Sequence, residues 1–246
     1  MRFLGRIHSV TQTEAAVSAA RDVGFSNLSL DLMFGLGDQT EHDLRRDLLQ
    51  LIQLRPDHVS IYCLTIEKGT EFYNRWRKGS LPFPKEDTIV EMIDQIDATL
   101  SKEGITRYEI SNFARSGKEA QHNLAYWSGR DYLGLGAGAH SFLKARDGFS
   151  AKRWSNCAKP TEFIERATSN GHADSWRDFL LLHDLMFEFF FLGLRKTVGV
   201  STVDFEERFD VSIAETYPGL VEALVDERFL ISDNSTIRLS PKGVLL

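Results

Sequence analysis

The sequence has few cysteines and no excess of basic charge. Only two cysteines occur among the 246 residues, Cys63 and Cys157, and they are too far apart for a CxxC pair or a comparable metal-binding motif. So few cysteines argue against a disulfide framework and favour a reducing compartment, so we expect a cytoplasmic location. The net charge is −6. This argues against a protein that binds nucleic acid, because contacts with the phosphates require clustered basic residues.

Long apolar runs are also missing. The N-terminal stretch MRFLGRIHSV lacks the apolar core of a signal peptide. The most apolar stretch, residues 179–194, is shorter than the roughly 20 residues that a membrane-spanning helix needs, and it contains His183, Asp184 and Glu188. We therefore expect no membrane span and interpret this stretch as a core helix.

The first part of the chain alternates between helix-like and strand-like patterns. In chain order, the predicted elements are a helix over 11–24 with a Thr11/Glu14 capping box, a strand over 27–34, a helix over 40–54, a strand over 58–66, a helix over 86–103 and a strand over 107–113. The order βαβαβ predicts an α/β fold with parallel strands in sequence order and helices packed outside. Three strands cannot close a barrel of about eight, so we expect a partial barrel.

The first predicted strand has one apolar face and one polar face. Leu30 and Leu32 alternate with Ser29 and Asp31, so Asp31 is predicted to lie on the face opposite the helices. A carboxylate there could accept hydrogen bonds from a ligand. Glu109, on the third predicted strand, is likewise expected on a polar face, where its carboxylate could accept hydrogen bonds from a ligand. By their spacing alone, Thr65 is an ordinary strand-end residue and Arg6 an ordinary surface charge.

After about residue 150 the pattern changes to helices, so we expect domains at 1–150 and 151–246. The last part predicts two helices, the first capped by Ser201 with Asp204 and the second over 212–227, followed by a hairpin turning at Asp233–Asn234. This order is winged-helix-like. Because residues 201–246 hold nine acidic and four basic side chains, we expect a structural or docking module, and not a DNA-binding wing.

Residues 121–142, QHNLAYWSGRDYLGLGAGAHSF, are the densest in ligand-capable and aromatic side chains. Neutral imidazole is an axial ligand for haem iron, and Tyr126 and Trp127 offer flat apolar faces to a large ring. The residues equally allow a cap in which both aromatics pack on a sheet and Asn123 fixes a turn. The glycine-rich part, 134–139, does not follow a clear strand, which argues against a dinucleotide site. Its glycines would let the backbone pass close to a neighbour or a ligand.

Several strings together resemble one family. LGRIHS, LDLMFGLGDQT, LTIEKGT, YEISNFAR, HNLAYW, DYLGLGAGAHS, LGLRKTVGV and LSPKGVLL are similar to the oxygen-independent coproporphyrinogen III oxidase-like proteins of the radical SAM superfamily. The HNxxYW element resembles the HemW-type haem chaperone branch. The resemblance implies the C-terminal half of a radical SAM (β/α) barrel followed by a winged-helix-like domain. Family members carry a CxxxCxxC loop for a [4Fe-4S] cluster in earlier strands, and since no cysteine here matches it, we expect a fragment.

The resemblance also assigns roles to individual residues. By position, the S-adenosylmethionine (SAM) contacts would be Arg6, Asp31, Thr65 and His140. The haem contacts would be His122, Asn123, Tyr126 and Trp127, with His122 reaching the iron. The implied function is a haem chaperone that binds haem and passes it to haem-dependent proteins, with SAM and a cluster in the full-length protein. Two alternatives stay open: an oxygen-independent coproporphyrinogen III oxidase of porphyrin biosynthesis, against which HNxxYW argues, and an inactive fragment.

Overall fold

The structure, a computed structural model, describes residues 2–233 and 235–245. Contacts between Cα atoms divide the chain into an N-terminal unit, Met1–Ala120, and a C-terminal unit, Gln121–Leu246. The sequence suggests a boundary at 150/151, and this point lies at the start of a strand within the C-terminal unit. In the described part of the chain, no helix has both the length and the apolar content needed to cross a bilayer.

The N-terminal unit contains four helices and four strands in its described residues. The helices are α1 (Val10–Asp22), α2 (Glu41–Gln53), α3 (Glu71–Arg77) and α4 (Glu86–Ser101), and the strands are β1 (Ser29–Phe34), β2 (His58–Cys63), β3 (Thr106–Arg107) and β4 (Asn112–Ala114). A short 3-10 helix, Arg2–Leu4, precedes them. Helix α3 lies between the predicted strand over 58–66 and the predicted helix over 86–103, where the sequence predicts no helix or strand.

The strands form one open sheet in the order β1-β2-β4-β3. β1 and β2 are parallel, with Asp31 opposite Ser60, as the sequence predicts. The prediction of a third parallel strand over 107–113 is wrong, because β4 runs antiparallel to both β2 and β3. The reason is a turn between β3 and β4, in which the backbone N–H of Tyr108 donates to the carbonyl of Asn112 at 3.1 Å. The unit is therefore mixed α/β with no closed barrel among the described residues.

Helices α2 and α4 bury one apolar face each against the sheet. From α2 come Leu44, Leu48 and Leu51, and from α4 come Met92, Ile96 and Leu100. Each such side chain contributes about 1.5–3 kcal/mol when fully buried. The predicted capping box of α1 is two residues off: Ser9 and Gln12 form it, not Thr11 and Glu14. Both pairs fit the same S/T-x-x-E/Q spacing, so the sequence alone does not separate them.

The C-terminal unit has six helices and six strands in its described residues. The helices are α5 (Gln121–Trp127), α6 (Pro160–Asn170), α7 (Leu182–Gly193), α8 (Thr202–Phe209), α9 (Ile213–Thr216) and α10 (Leu220–Asp226), and the strands are β5 (His140–Lys144), β6 (Ala151–Asn156), β7 (Asp174–Leu180), β8 (Val200–Ser201), β9 (Leu230–Ser232) and β10 (Thr236–Leu239). A 3-10 helix, Gly243–Leu245, follows.

The C-terminal unit contains two sheets, whereas the sequence predicts only one hairpin among the helices after residue 150. β5, β6 and β7 form an antiparallel sheet in chain order. The second sheet, β8-β10-β9, is the wing, and it is antiparallel as the hairpin prediction requires. Ser201 caps α8 by accepting from the backbone of Asp204 at 3.0 Å, as predicted. The predicted helix over 212–227 is two helices, since Pro218 and Gly219 interrupt it. Asn234, in the predicted turn, lies outside the described residues.

Aromatic rings fill the core of the C-terminal unit. Phe205 is fully buried, and its ring centroid lies 5.3 Å from that of Phe189 and 4.9 Å from that of Phe209. Helix α7 supplies part of this core, so residues 179–194 do include a helix. The helix is not wholly buried, however, because Phe187 and Phe191 are 62% and 59% exposed.

Candidate functional site

The sheet of the N-terminal unit has a polar face. Leu30 and Leu32 pack on the core beneath the helices, so the alternation in β1 places Asp31 on the opposite face, as predicted. The register aligns Asp31 with Ser60, and Ser60 in turn with Asn112. Ser60 and Asn112 are buried, whereas Asp31 is exposed. A row of polar groups thus crosses three strands.

A second polar row is centred on His58, which is 5% exposed. Its Nδ1 lies 2.8 Å from Ser29 Oγ, and its Nε2 lies 2.8 Å from the hydroxyl of Tyr108. A ring with its hydrogen on Nδ1 satisfies both contacts, because Tyr108 then donates to Nε2 and Nδ1 donates to Ser29. Burial lowers the pKa of His58, against an opposing effect of Asp31, so the ring is held neutral.

Glu109 is the most deeply buried charged residue of this face, at 0% exposure. Its Oε1 accepts from the side-chain amide of Asn112 and from the backbone N–H of Ser111. Its Oε2 and the Oδ1 of Asn112 have no hydrogen-bond partner among the described residues. Buried acceptors of this kind are usually paired, so this corner has capacity for an additional donor.

Two of the four predicted SAM residues meet in one cleft of the N-terminal unit. Arg6 and Asp31 both line a cleft of about 640 Å³ next to β1. Thr65 is exposed and follows the C-terminal end of β2, and it does not line this cleft. His140 lies in the C-terminal unit, exposed at the first position of β5, with its ring 6.4 Å from that of Trp176.

The four predicted haem residues lie on one short helix, α5. The helical period pairs His122 with Tyr126 and Asn123 with Trp127, because residues four apart share a face. The His122 ring is exposed and meets Tyr126 edge to face at 4.8 Å between ring centroids. Tyr126 in turn meets Tyr132 edge to face at 4.6 Å. The aromatic contacts fix the tyrosine and leave the imidazole at the surface.

Trp127 lies on the other face of α5. The guanidinium of Arg195 sits 4.4 Å from its ring centroid, so one ring face is covered by a cation. Beside it is a cavity of about 360 Å³, here called the aromatic cavity, which is lined by Tyr126, Trp127, Gly129, Arg130, Tyr132, Phe142, Arg153, Glu188, Phe191 and Leu192. Its volume is within the usual range of ligand pockets, about 300–1,000 Å³. His122 and Asn123 do not line it.

Contacts within the protein and backbone conformation explain why several positions of the segment 134–139 are glycine. A Cβ at Gly134 would lie under 3.0 Å from the carbonyl oxygen of His140, a separation that real Cβ atoms essentially never show. Gly136 and Gly138 have φ of 100° and 70°, which favours glycine. The side-chain amide of Asn156 donates to the Gly136 carbonyl at 2.8 Å.

The sequence patterns miss four charged residues around the aromatic cavity. Arg153 pairs with Glu188 at 2.8 Å, and Lys196 and Arg208 lie in the same region. They come from β6, α7, α8 and the loop after α7, so no local motif brings them together. Among the described residues, no group of three or more His, Cys, Asp or Glu side chains could hold a metal ion.

The comparisons with known proteins cover nearly the whole chain. The chain is 35% identical to the heme chaperone HemW of Bacillus subtilis over 99% of its own length and 62% of that protein. It is 32% identical to the heme chaperone HemW of Lactococcus lactis, with the same coverage of both chains. It is also 32% identical to the zebrafish (Danio rerio) radical S-adenosyl methionine domain-containing protein 1, mitochondrial, over 56% of that protein. The chain thus spans about three-fifths of the length of these relatives.

A domain family and a solved structure agree with these relatives. Residues 180–246 match the HemN C-terminal domain. The solved structure is coproporphyrinogen III oxidase (HemN) from Escherichia coli, described as a radical SAM enzyme. It matches 99% of this chain and 58% of its own, with a TM-score of 0.76 and 19% identity. At this identity the likeness shows the fold alone, and it confirms the predicted resemblance to this fold.

Proposed function

We propose that this chain belongs with the HemW-like proteins to which it is similar, and that it binds haem as part of a haem chaperone. Haem would then pass to haem-dependent proteins. The main supporting observation is the arrangement of HNxxYW on α5, where His122 is exposed beside an ordered pair of tyrosines. A sequence motif alone does not require such an exposed imidazole.

The residues of the C-terminal unit suit a haem. Iron in haem takes an imidazole as axial ligand, and the exposed His122 offers one at the surface. The edge contact with Tyr126 limits the orientations of the imidazole, which favours directional ligation. The aromatic cavity, which Tyr126 lines and His122 does not, supplies apolar ring faces for a flat ligand. When bound, the haem iron would supply the coordination chemistry, and the chain would orient and cover the ring.

The SAM assignment is part of the same proposal. Arg6 and Asp31 share a cleft, which brings a cation and a carboxylate to one ligand-sized space. Thr65 and His140 are proposed contacts by their match to the family. A [4Fe-4S] cluster does not fit this chain, because such clusters are held by several thiolates close together, and the two cysteines here lie one in each unit. In the proposal the cluster and its SAM chemistry therefore belong to the longer relatives.

A second candidate is oxygen-independent coproporphyrinogen III oxidation. The observation that favours it is the fold of the E. coli oxidase, which the chain shares. The full-length protein would be incubated with coproporphyrinogen III, SAM and a reductant, and the product measured. Formation of protoporphyrinogen would favour the oxidase over the chaperone.

The test of haem binding is a titration of the 246-residue chain with haem, followed at the Soret band. His122→Ala should weaken binding and shift the band, because iron loses a directional ligand. Trp127→Ala should weaken binding with a smaller spectral change. His183→Ala is the matched control, since its side chain is 76% exposed in the same unit and makes only a surface contact with Asp184.

An unchanged affinity and an unchanged spectrum for His122→Ala would overturn axial ligation by this residue. The same titration on full-length protein checks whether strands outside this chain complete the pocket. If neither wild-type protein binds haem, the chaperone proposal fails.

A further inference from the structure

A second cavity lies next to the aromatic cavity within the C-terminal unit. It measures about 130 Å³, and we call it the basic cavity after Lys196 and Arg208. Its lining also holds the carboxylates of Glu188 and Asp204 and the hydroxyls of Ser128 and Ser201. The two cavities share Trp127, Gly129, Phe142, Glu188 and Leu192 as lining residues, so they are neighbours. A ligand that fills the aromatic cavity could therefore extend a substituent towards the basic one.

Two cations of the basic cavity lack an ion-pair partner. In the described part of the chain, no carboxylate oxygen lies within 4 Å of the charged nitrogens of Lys196 or Arg208, whereas nearby Arg153 pairs with Glu188 at 2.8 Å. Arg208 instead sits 5.0 Å from the ring of Phe209. Burial lowers the pKa of both cations. Asp204 attracts Lys196, and Glu188 and Asp131 attract Arg208, from beyond this distance. Neither cation therefore has a carboxylate in direct contact, and each can take an anion as a direct partner.

Two further donors in this region also lack acceptors. The Nε1 of Trp127 and the Nε of Arg195 are buried and have no hydrogen-bond partner among the described residues. Both belong to the stacked pair above, and Trp127 lines both cavities. Because most buried N–H groups are hydrogen-bonded, the open Nε1 of Trp127 points to an absent acceptor. Trp127 lines the basic cavity with Lys196 and Arg208, whereas Arg195 lines neither cavity.

The charge around the two cavities is opposite in sign to that of the chain. Their combined lining has four basic side chains, Arg130, Arg153, Lys196 and Arg208, against two acidic ones, Glu188 and Asp204. The chain as a whole carries −6. Arginine presents a planar fork of donors that matches a carboxylate, and a lysine beside it adds a second charge-assisted hydrogen bond.

We infer that the basic cavity holds a carboxylate of a ligand whose flat ring lies in the aromatic cavity, with Lys196 and Arg208 as its partners. This inference rests on the proposed function, under which the ligand is haem and the carboxylate is one of its propionates. Gly129 lines both cavities, and a Cβ there would be in ordinary van der Waals contact with Arg208 Nη1 at 3.6 Å.

The experiment compares haem with its dimethyl ester, which keeps the iron and the ring but has no free carboxylate. Both are titrated into the 246-residue chain as wild type, Lys196→Met and Arg208→Gln. Matched controls are Lys159→Met and Arg238→Gln, which change exposed cations outside both cavities in the same unit. Thermal denaturation of each variant shows that it is folded.

The wild type should bind haem at least about tenfold more tightly than the ester, since losing one charge-assisted partner costs about that much. Lys196→Met and Arg208→Gln should each weaken haem binding by about tenfold and leave ester binding within twofold. The controls should stay within twofold for both ligands. Arg208→Lys keeps the charge and should restore most of the preference. If Arg208→Gln does not fold, Lys196→Met decides the test.

Each outcome has one meaning. If haem binds but the ester binds equally well, or if neither variant changes the preference, the carboxylate site is overturned and the haem proposal stands. If the variants weaken both ligands equally, Lys196 and Arg208 serve the ring or the packing, and the carboxylate assignment is wrong. If haem binds neither the 246-residue wild type nor the full-length protein, the proposed function itself fails; if it binds only the full-length protein, the same comparison of ligands and variants is made there.

Discussion

Gly134→Ala separates two explanations of the glycine-rich segment. If Gly134 exists to let the backbone approach a cofactor, alanine should impair only ligand binding. The structure gives it another role, because a Cβ there would collide with the carbonyl oxygen of His140 on the chain's own strand β5. The substitution should then destabilise the ligand-free protein.

The size of the effect follows from two contacts. The Cβ would lie under 3.0 Å from a backbone oxygen, whereas ordinary contact starts at 3.4 Å, so the backbone must move. Overpacking of this kind costs about 1–3 kcal/mol. The move also strains the hydrogen bond from Gly134 N–H to Ser141 Oγ, 2.9 Å long, which contributes about 1 kcal/mol. We expect a loss of about 2–4 kcal/mol in the free energy of unfolding, out of the roughly 5–15 kcal/mol typical of a domain.

The assay is urea denaturation of the ligand-free chain, followed by tryptophan fluorescence. The control is Gly171, which ends α6 at φ 72° and has open space within 4 Å of the point where a Cβ would stand. There alanine costs about 1–2 kcal/mol from backbone strain alone, and asparagine should cost less because it adopts this conformation more readily. At Gly134, asparagine should be no better than alanine. A Gly134→Ala protein with wild-type stability and lost ligand binding would refute the reasoning.

Four other outcomes are expected. Burial holds the pKa of His58 below its usual 6.5, so the unfolded chain binds the proton more readily; stability should be complete above pH 6.5 and fall as the pH drops from there towards the folded pKa, and His58→Gln should flatten this slope in denaturation curves. Phe205→Ala should cost about 3–5 kcal/mol, whereas exposed Phe187→Ala should change stability by less than about 0.5 kcal/mol. Thr40→Ala removes the N-cap of α2 and should cost about 1 kcal/mol by the same measurement. Reconstitution of this chain with iron and sulfide should give no stoichiometric [4Fe-4S] cluster, and about four bound irons per chain would contradict this.

Strongly periodic segments were predictable, and segments fixed by distant contacts were not. The pairing of β1 with β2 and the buried faces of α2 and α4 follow from alternation and helical spacing over many residues. Residues 107–113 also alternate, but the side chain of Arg107 donates to the carbonyl of Ile110 and helps close a turn there. A strand-like pattern therefore gives way to a turn that its own side chain stabilises.

The strands β6 and β7 show why the later sheet escapes prediction. Their sequences, AKRWSN and DSWRDFL, are rich in charged residues, and β7 is exposed along most of its length. Each becomes a strand because it pairs with a neighbour across a loop, and such non-local pairing leaves little local pattern. The domain boundary at 150/151 follows from the helical composition after residue 150, and it stays a prediction.

Part of the candidate site could be predicted from the sequence, and part could not. The grouping of His122 with Tyr126 and of Asn123 with Trp127 follows from helical spacing once α5 is known to be a helix. Lys196 and Arg208 could not be found from the sequence, because only the packing of α7 and α8 brings them to one cavity. What identifies them is that neither cation has a carboxylate within 4 Å in the described part of the chain. This feature is visible only in the three-dimensional structure.

The shortness of α5 makes the proposed haem site a place of low local stability. Seven residues form about two helical turns, and isolated helices below about 12–15 residues are marginal in water. The helix is held by Tyr126 against Tyr132 and by Arg195 over Trp127, so its backbone amides should exchange with solvent deuterium through local opening. A ligand that binds to this helix must suppress the local opening of α5. Part of the binding free energy therefore goes into ordering the helix. Release of the ligand to an acceptor protein would recover this free energy. The cost of ordering α5 therefore favours transfer of the ligand over its permanent retention.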